Sequence, residues 1–525
     1  MTPCNMISLL KNGNVLGKGD AERDIRDRIS DMSERLGRPL TYFIKTFGCQ
    51  QNDHDSEIAA GILSLLGFQE GSSAEESDVV LFNTCSVRAN ADDRFYGHVG
   101  NLKPLKKDGR PIIGVFGCMM EQSIHVNTIL TTFPYVDFIL GAGAMSHIPY
   151  ALAAVLKARN ADKRGTCKPL DLTAISTPSD SITAGDLPVK RENRQRALVT
   201  IMTGCNNFCT YCIVPYTRGR EKSRLAADIL REVKQAIKEG ARDVMLLGQN
   251  INSYGVDERK KGEDPTHYPT FAELLSEIAL IDQLFVLRYM TSHPRDLSDE
   301  LIDVIGRTPV VEPHIHLPLQ SGSDRILKKM NRHYDTAHYL SLVRKLRMAR
   351  PDITISTDLI VGFPGETEED FEATLNVMKE VRFDAAFTFI YSPREGTPAA
   401  RWFKKSSNER GEDDDSNRDA VIRDRFGRLT ELQNQLSFDS NVKLLGKEVT
   451  VLVDGPSKRS PDIFSGRTRD HRLVNFTTPD RMSLPCDNAL QPGDIVVVRI
   501  DRAKIFSLEG TVTSILERSI KTRWL

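Results

Sequence analysis

Short apolar runs alternate with longer amphipathic stretches along the amino-terminal part of the chain. Three β-branched and aromatic runs there each end in cysteine: TYFIKTFGC (41–49), DVVLFNTC (78–85) and PIIGVFGC (111–118). Each run is followed by a stretch that favours helix. A strand followed by a helix, three times over, predicts a parallel sheet, whose ligand sites lie at the carboxyl ends of the strands. We therefore expect the fold to bring together the thiols of Cys49, Cys85 and Cys118.

A second alternation of strands and helices follows a Ser/Thr/Gly/Pro-rich stretch. Its strand-like runs are ALVTIM (197–202), DVMLLGQN (243–250), FVLRYMTS (285–292), PHIHLPLQ (313–320), TISTDLIVG (354–362) and AAFTFIYSP (385–393). Six such units predict a partial barrel rather than a closed barrel of eight strands. The segment CNNFCTYC (205–212) follows the first run directly, at the end where such barrels carry their chemistry.

The remaining segments complete the predicted organisation. Short β-rich runs spaced by turn residues after 442 predict a small barrel. We predict an α/β protein with an amino-terminal parallel-sheet α/β domain, a central partial (βα)6 barrel and a small carboxy-terminal all-β barrel. The predicted boundaries are an extension at 1–38, the first domain at 39–158, a linker at 159–190, the central domain at 191–432 with a disordered acidic loop at 404–420, and the last barrel at 441–515.

Composition narrows the class of protein. The chain has 525 residues, 27% charged and 40% hydrophobic, with a net charge of −1, which is typical of a soluble globular protein. No apolar run approaches the roughly 18 residues that a membrane span needs, and no secretory signal is visible, so we expect a cytoplasmic protein without membrane contact. The nine cysteines are too sparse for a disulfide framework, and Cys4, Cys167 and Cys486 are interpreted as incidental.

The spacing CxxxCxxC at Cys205, Cys209 and Cys212 favours an iron–sulfur cluster over a structural zinc site. A structural zinc site needs a fourth ligand nearby, and no histidine lies between 199 and 266. Three thiolates can instead hold a 4Fe–4S cluster and leave one iron open to bind S-adenosylmethionine. We predict a second cluster of the same kind on Cys49, Cys85 and Cys118. His314 and His316 alternate along one strand, and we interpret them as packing residues rather than ligands.

The motif GCNNFCTYC, with Tyr211 before its last cysteine, resembles the signature of radical S-adenosylmethionine proteins. With the second cysteine set, the chain resembles the methylthiotransferases over about residues 40–515, and in particular the branch that modifies isopentenyladenosine in tRNA. Further matching motifs are KTFGCQQNDHDSE, NTCSVRANADD, GCMMEQ, LLGQNINSY, HLPLQSGSDRILKKMNR, STDLIVGFPGETEEDF and FTFIYSPREGTPAA. The last barrel resembles a TRAM domain, an RNA-binding module. Gln51 is a departure, because this branch usually has Met there.

The resemblance implies two 4Fe–4S clusters with different tasks. The cluster on Cys205, Cys209 and Cys212 would cleave S-adenosylmethionine to a radical, and the auxiliary cluster would supply sulfur, which a second S-adenosylmethionine methylates. Cofactor contacts are expected from Tyr211, Gln249, Asn250, Ser292, Gln320, Ser356 and Asp358. Thr367 and Asp370 are expected to cap a helix rather than to bind phosphate.

RNA contacts are predicted from charge. Residues 441–525 carry 14 Lys and Arg against 10 Asp and Glu, although the whole chain has a net charge of −1. Phe464 or Phe476 is a candidate to stack on bases. The basic side chains expected to bind RNA are Lys458, Arg459, Arg467, Arg469 and Arg472, with Arg218 and Arg220 beside the CxxxCxxC loop. A solvated basic face is the alternative.

The expected function is methylthiolation at carbon 2 of N6-isopentenyladenosine at tRNA position 37, by a monomer. Expected partners are this tRNA, an electron donor such as flavodoxin or ferredoxin, and proteins of sulfur supply and Fe–S assembly. Three alternatives stay open: action on threonylcarbamoyladenosine, action on an aspartate of a ribosomal protein, and a non-catalytic RNA-binding Fe–S scaffold.

Overall fold

The computed structural model describes residues 18–86, 89–106, 110–161, 169–174, 187–408, 412–457, 460–478 and 490–519. The chain divides into two compact units. The first comprises residues 1–192, 200–206 and 212–224, and the second comprises 193–199, 207–211 and 225–525. Cys4, Cys167 and Cys486 lie outside the described residues, as do Lys458 and Arg459.

The first unit is built on a six-stranded sheet in the order β2-β1-β3-β4-β5-β6, and its paired strands are parallel. The central strands β3 and β4 are buried along their whole length, as their unbroken apolar runs require when helices cover both faces. The strands are β1 (Thr41–Thr46), β2 (Gln69–Glu70), β3 (Val79–Thr84), β4 (Ile112–Gly117), β5 (Phe138–Ile139) and β6 (Leu170–Asp171).

Helices pack on both faces of this sheet and create two apolar cores. They are Lys18–Leu36, Gln50–Leu65, Ala89–Asn101, Ser123–Thr132 and Ile148–Ala161. Two expectations are corrected here. The amino-terminal extension carries a helix that belongs to the core, because Ile25 and Ile29 are buried in it. The predicted linker contributes β6 to the sheet, and Leu172 is buried beside it.

The chain continues through β7 (Arg196–Thr200), β8 (Met202–Thr203), β9 (Lys222–Ser223), β10 (Asp243–Leu247), β11 (Val286–Tyr289), β12 (His314–His316), β13 (Thr354–Val361) and β14 (Ala385–Ile390). Six of these strands form two three-stranded sheets, β11-β10-β7 and β12-β13-β14, with parallel pairing of β10 with β11 and of β12, β13 and β14. In the first unit, β8 and β9 pair with each other. The six strands are those predicted from the sequence.

The helices of the second unit alternate with its strands. They are Ala226–Lys238, Val256–Lys260, Phe271–Ile278, Asp299–Arg307, Asp324–Lys329, Thr336–Ala349, Glu368–Val381, Pro398–Asn408 and Glu412–Val442. Helix Glu368–Val381 begins with a capping box between Thr367 and Asp370, which confirms the prediction. The predicted acidic loop is wrong in its described part, because residues 404–408 and 412–420 are helical. None of the described helices is long and apolar enough to cross a membrane.

A closed five-stranded barrel ends the second unit, in the order β15-β16-β17-β19-β18. Its strands are β15 (Glu448–Ser457), β16 (Ser460–Thr468), β17 (Leu473–Thr477), β18 (Ile495–Ala503) and β19 (Leu508–Glu517). The fully buried guanidinium of Arg288 on β11 links it to the central sheets. That group pairs with Asp243 and Glu312, and it donates to the carbonyl oxygens of Thr468 and Arg469 at 3.0 and 2.8 Å. The predicted fold class is confirmed.

Candidate iron–sulfur and cofactor sites

The first cysteine set lies at one edge of the first unit's sheet. Cys49 follows β1 and precedes helix Gln50–Leu65, Cys85 follows β3, and Cys118 follows β4. Because these three strands are parallel neighbours, their carboxyl ends lie side by side. The thiols of Cys49 and Cys85 are in hydrogen-bonding contact. The expected gathering of strand-end cysteines is therefore present for this pair.

Two asparagines tie the carboxyl ends of β1 and β3 together. The amide of Asn52 donates to Oδ1 of Asn83 at 2.8 Å and to the carbonyl oxygen of Thr84 at 3.0 Å. Asn83 donates in return to the carbonyl oxygen of Asn52 at 2.8 Å. The Cys49 thiol donates to Oδ1 of Asn52 at 3.4 Å. Since both asparagines are fully buried, this network fixes the backbone around Cys49 and Cys85.

Glycine before Cys118 is required by the backbone. Gly117 has φ of 110°, a conformation that side chains of L-residues rarely adopt. A Cβ atom there would lie 2.4 Å from the carbonyl oxygen of Thr84. The close approach of β4 to β3 at this point therefore depends on the missing side chain.

A buried arginine contacts the third cysteine. Arg218 donates from Nε to Sγ of Cys118 at 2.9 Å and from a terminal nitrogen to Oδ2 of Asp55 at 2.7 Å. Gln51 extends this chain, because its amide donates to Oδ1 of Asp55 at 3.1 Å and to Oγ1 of Thr200 at 2.9 Å. Arg218 is only 2% exposed. The prediction that it contacts substrate phosphate is corrected, because its guanidinium is enclosed by these groups.

Cys49 and Cys118 differ in the pKa of their thiols. Hydrogen bonding from Cys85 lowers the pKa of Cys49 to about 6, with help from the charge of Arg218. Burial raises the pKa of Cys118 to about 11, and the neighbouring Arg218 opposes that shift. Iron binds thiolates, so ligation at Cys118 requires a positive group to compensate the charge of the buried sulfur. Arg218 is placed to do so.

The donor set fits an iron–sulfur cluster by its chemistry. Three cysteines lie at the ends of adjacent strands, and one of them is paired with a buried cation. Cysteine thiolates are the ligands that hold 4Fe–4S clusters. In the described part of the chain, no three His, Cys, Asp or Glu side chains are grouped closely enough to hold a single metal ion.

The CxxxCxxC loop is held by the segment that follows it. In the first unit, the backbone N–H of Cys205 donates to the carbonyl oxygen of Gly219 at 3.1 Å. Glycine is required at position 204, because its φ is 78° and a Cβ would lie 2.1 Å from the carbonyl oxygen of Arg220. Cys205 is buried and Cys212 half-buried. The side chain of Arg220 is exposed, so it stays a candidate for RNA contact.

In the second unit, Cys209 also lies beside a buried arginine. Arg332 donates to Sγ of Cys209 at 3.5 Å and to the carbonyl oxygen of Pro318, just beyond β12, at 2.9 Å. Arg332 was not predicted, although it ends the matched motif SGSDRILKKMNR. Tyr211 packs against Phe363, which follows β13, with ring centroids 6.5 Å apart. Segment 207–211 therefore lies at the carboxyl ends of β12 and β13.

The predicted cofactor residues fall into two groups. Gln249, Asn250 and Ser292 follow β10 and β11 at their carboxyl ends. Asn250 is buried and donates to Oδ2 of Asp296 at 2.9 Å. Gln320 follows β12, with φ of 72° and backbone hydrogen bonds to β13.

Ser356 and Asp358 lie within β13 and contact histidines. The Ser356 hydroxyl bonds His314 Nε2 at 2.8 Å and His316 Nδ1 at 3.0 Å. Oδ2 of Asp358 lies 3.5 Å from Nε2 of His316. The two histidines therefore have side-chain partners along the strands, which agrees with their interpretation as packing residues.

Buried polar atoms without partners mark the same end of the second unit. Four such atoms make no hydrogen bond to any residue that the structure describes: Oδ1 of Asn207, Oγ of Ser292, Nε2 of His293 and the hydroxyl of Tyr391. Leaving a buried polar atom unpaired is costly, so this grouping fits a polar cofactor such as S-adenosylmethionine. Burial also holds the pKa of His293 well below its usual range, which keeps its ring neutral.

The predicted RNA-binding arginines of the last barrel are engaged inside the second unit. Arg467 donates to the carbonyl oxygen of His471 at 3.0 Å, and Arg469 donates to that of Pro309. Arg472 pairs with Asp470 at 2.7 Å and with Asp384 at 3.3 Å. RNA contacts stay a prediction for these three, with part of their hydrogen-bond donors used inside the second unit. The prediction for Phe476 is corrected, because it is buried in the barrel core and stacks on Phe464.

Family models match three parts of the chain. They are the Radical SAM superfamily over residues 199–378, Uncharacterized protein family UPF0004 over 41–141, and the TRAM domain over 442–513. Among solved structures, radical S-adenosylmethionine methyltransferase TsrM from Kitasatospora setae is similar with a TM-score of 0.50 and 13% identity, covering 69% of this chain and 77% of that one. That likeness shows the fold alone. Fold and models together define a radical S-adenosylmethionine protein with a TRAM domain.

Curated relatives cover nearly the whole chain. The tRNA-2-methylthio-N(6)-dimethylallyladenosine synthase of Clostridium botulinum (strain Okra / Type B1) is 46% identical over 470 residues, which are 89% of this chain and 96% of that protein. The enzyme of the same name from Acetivibrio thermocellus is 43% identical over 93% of this chain and 94% of that protein. The one from Thermoanaerobacter pseudethanolicus is also 43% identical, over 92% of this chain and 95% of that protein. The chain belongs to the family of tRNA-2-methylthio-N(6)-dimethylallyladenosine synthases, which confirms the resemblance inferred from its motifs.

Proposed function

We propose that this protein attaches a methylthio group to carbon 2 of N6-dimethylallyladenosine at tRNA position 37. The observation that carries the proposal is identity of 43–46% to synthases of this name, across about nine-tenths of the chain. The reaction replaces an unactivated aromatic C–H bond, which thiols do not attack directly, so the chemistry must come from cofactors.

Two 4Fe–4S clusters and S-adenosylmethionine are the proposed cofactors. When bound, they supply the radical, the sulfur atom and the methyl group. Cys205, Cys209 and Cys212 would hold the first cluster, with Arg332 compensating charge at Cys209. Cys49, Cys85 and Cys118 would hold the auxiliary cluster, with Arg218 compensating charge at Cys118.

The remaining residues would bind and orient the cofactor. Asn207, Ser292, His293 and Tyr391 carry the buried polar atoms described above and would face its polar groups. Gln249, Asn250 and Gln320 stay candidates at the strand ends, and Tyr211 stays a candidate beside Cys209. Ser356 and Asp358 contact histidines and would contribute to the walls of the site.

For tRNA binding we propose the hairpin of β18 and β19. Exposed basic side chains line it, with Arg499, Arg502 and Lys504 exposed by 54%, 72% and 46%. Phe506 at its turn is 80% exposed and could stack on a base. Arg220 is the further candidate for contact with phosphate. Because phosphate neutralisation releases counterions, tRNA affinity should fall as salt rises.

We further propose that the protein acts in the cytoplasm as a monomer. An electron donor such as flavodoxin or ferredoxin would reduce the cluster on the CxxxCxxC loop. Proteins of sulfur supply and Fe–S assembly would load and recharge the auxiliary cluster, since each turnover consumes one sulfur atom.

Mass spectrometry of tRNA nucleosides tests the proposal. Cells lacking the gene should accumulate N6-dimethylallyladenosine at the expense of its methylthio form, and the intact gene should restore the ratio. The gene with Cys209→Ala should not restore it, whereas a non-catalytic scaffold would. An unchanged ratio would refute the substrate, and threonylcarbamoyladenosine and ribosomal-protein aspartate would then be examined in the same cells.

A further inference from the structure

One face of the β12-β13-β14 sheet carries two aromatic side chains that remain open to solvent. In the parallel register, Asp358 on β13 lies opposite Phe387 on β14, and Ile360 lies opposite Phe389. Side chains two residues apart share a face of a strand, so these four lie on one face. The other face carries Ile355 and Thr357, both fully buried.

The exposure of this face is unusual for strand residues. Phe387 is 50% exposed and Phe389 is 41% exposed, although both belong to a paired strand. Large exposed apolar groups that are contiguous mark binding surfaces more often than chance. We call Phe387 and Phe389 the aromatic wall.

Polar groups border the aromatic wall along the neighbouring strands. The ring of His316 meets that of Phe387 edge to face, with centroids 5.8 Å apart. Asp358 is 27% exposed beside it, and its carboxylate lies 3.5 Å from His316. A ligand on this face would therefore meet apolar rings on one side and a carboxylate with a histidine on the other.

The ends of these strands indicate what kind of ligand reaches the wall. At the carboxyl ends lies segment 207–211, with the cluster ligand Cys209 beside Arg332. At the amino end of β14, Asp384 pairs with Arg472 of the carboxy-terminal barrel, which matches the TRAM model. The wall thus runs between an RNA-binding module and the end of the sheets that holds the cofactor candidates.

We propose that Phe387 and Phe389 bind the N6-dimethylallyl group and the adenine ring that carries it. This inference rests on the proposed function and adds the residues that read the substrate. A branched five-carbon group is apolar, and rings of phenylalanine bury it and stack on a base. A threonylcarbamoyl group carries a carboxylate, which Asp358 would repel and the rings would not solvate. The wall therefore selects the alkylated nucleoside.

Binding of anticodon stem-loop RNA to the reconstituted full-length protein tests the proposal, by fluorescence anisotropy under anaerobic conditions. Two RNAs differ only at position 37, which is adenosine or N6-dimethylallyladenosine. The unaltered protein should bind the alkylated RNA at least about 10-fold more tightly, since a single methylene in an apolar pocket already gives about 10-fold discrimination or more. Phe387→Ala and Phe389→Ala should each reduce that preference to about 3-fold or less.

Two controls keep the result specific. Thr388 lies between Phe387 and Phe389 in the sequence, and its side chain points to the other face of β14. The Thr388→Ala variant should therefore keep the full preference for the alkylated RNA. All variants should bind the unmodified RNA with affinity within about twofold of the unaltered protein, as expected for intact folding and phosphate contacts.

Any of three results would overturn the proposal. A preference retained in both phenylalanine variants would place the dimethylallyl group elsewhere while leaving the proposed function intact. No preference in the unaltered protein would count against both the wall and the proposed substrate. Loss of preference in Thr388→Ala as well would refute the role of the rings, because disruption of the strand would then account for the loss.

Discussion

The buried pair of Arg218 and Asp55 gives the sharpest prediction about the auxiliary cluster site. Its nitrogen and oxygen lie 2.7 Å apart, and each side chain is 3% exposed. Removing one partner of a buried pair leaves the other charge without compensation, which costs about 3–5 kcal/mol. Arg218→Met keeps the length and apolar volume of the side chain. We therefore expect it to lower the free energy of unfolding by about 3–5 kcal/mol.

A matched surface pair serves as the control. Arg382 and Asp439 lie at the same distance, 2.7 Å, but are 51% and 36% exposed. Exposed pairs contribute little to stability because water screens them. Arg382→Met should therefore change stability several-fold less than Arg218→Met.

The assay is urea denaturation of the apoprotein with reduced thiols. Adding Asp55→Asn to Arg218→Met should restore part of the loss, because the charge left behind is then removed. If Arg218→Met and Arg382→Met lowered the free energy of unfolding equally, the reasoning would be refuted, since burial would then not determine the strength of the pair. A double variant with strictly additive losses would also contradict it.

Three further predictions concern single positions. Gly117→Ala should abolish iron binding at the amino-terminal site and not at the other, measured as iron content, because its Cβ would lie 2.4 Å from the carbonyl oxygen of Thr84. Gln51→Met should destabilise the apoprotein by about 1 kcal/mol in urea, since Asp55 and Thr200 each lose a hydrogen bond; no change would show that the Gln51 contacts add nothing. Burial raises the pKa of Glu366 from 4.5 to about 7, so its native state binds a proton more tightly than the unfolded state. The resulting stability is complete below pH 4.5 and is lost as pH rises through about 7. Glu366→Gln should remove this pH dependence of the urea midpoint. An unchanged dependence of the midpoint on pH would contradict the prediction.

The fold and the cysteine positions could be predicted because both follow from local patterns. An unbroken apolar run as short as that of β3 or β4 favours a buried strand over a helix, and a cysteine at the end of such a strand is expected at the sheet edge. Parallel order then makes neighbours of residues more than 30 positions apart in the sequence, such as Cys49 and Cys85.

Side-chain direction was the part that the sequence could not supply. Arg467, Arg469 and Arg472 counted as positive charge in a basic tail, but each is bonded within the second unit. Charge and composition do not reveal which face of a strand a residue occupies. Arg218 was misassigned for the same reason, since its partners Asp55 and Cys118 lie more than 90 residues away in the chain.

Charged segments misled the prediction in a second way. The block at 404–420 has no apolar periodicity, yet its described residues are helical. Residues 404–408 end helix Pro398–Asn408, and residues 412–420 begin helix Glu412–Val442, whose later residues Leu429 and Leu436 are buried. Helix propensity judged over a short segment of sequence does not include the stabilisation that the rest of a long helix provides.

The central claim is that this chain holds two clusters, each on three cysteines. Iron and sulfide content of anaerobically reconstituted protein tests it most directly, with one triple variant for each cysteine set. The unaltered protein should hold about eight irons, and replacing either Cys49, Cys85 and Cys118 or Cys205, Cys209 and Cys212 by alanine should leave about four. About four irons in the unaltered protein, unchanged by loss of Cys49, Cys85 and Cys118, would contradict the account.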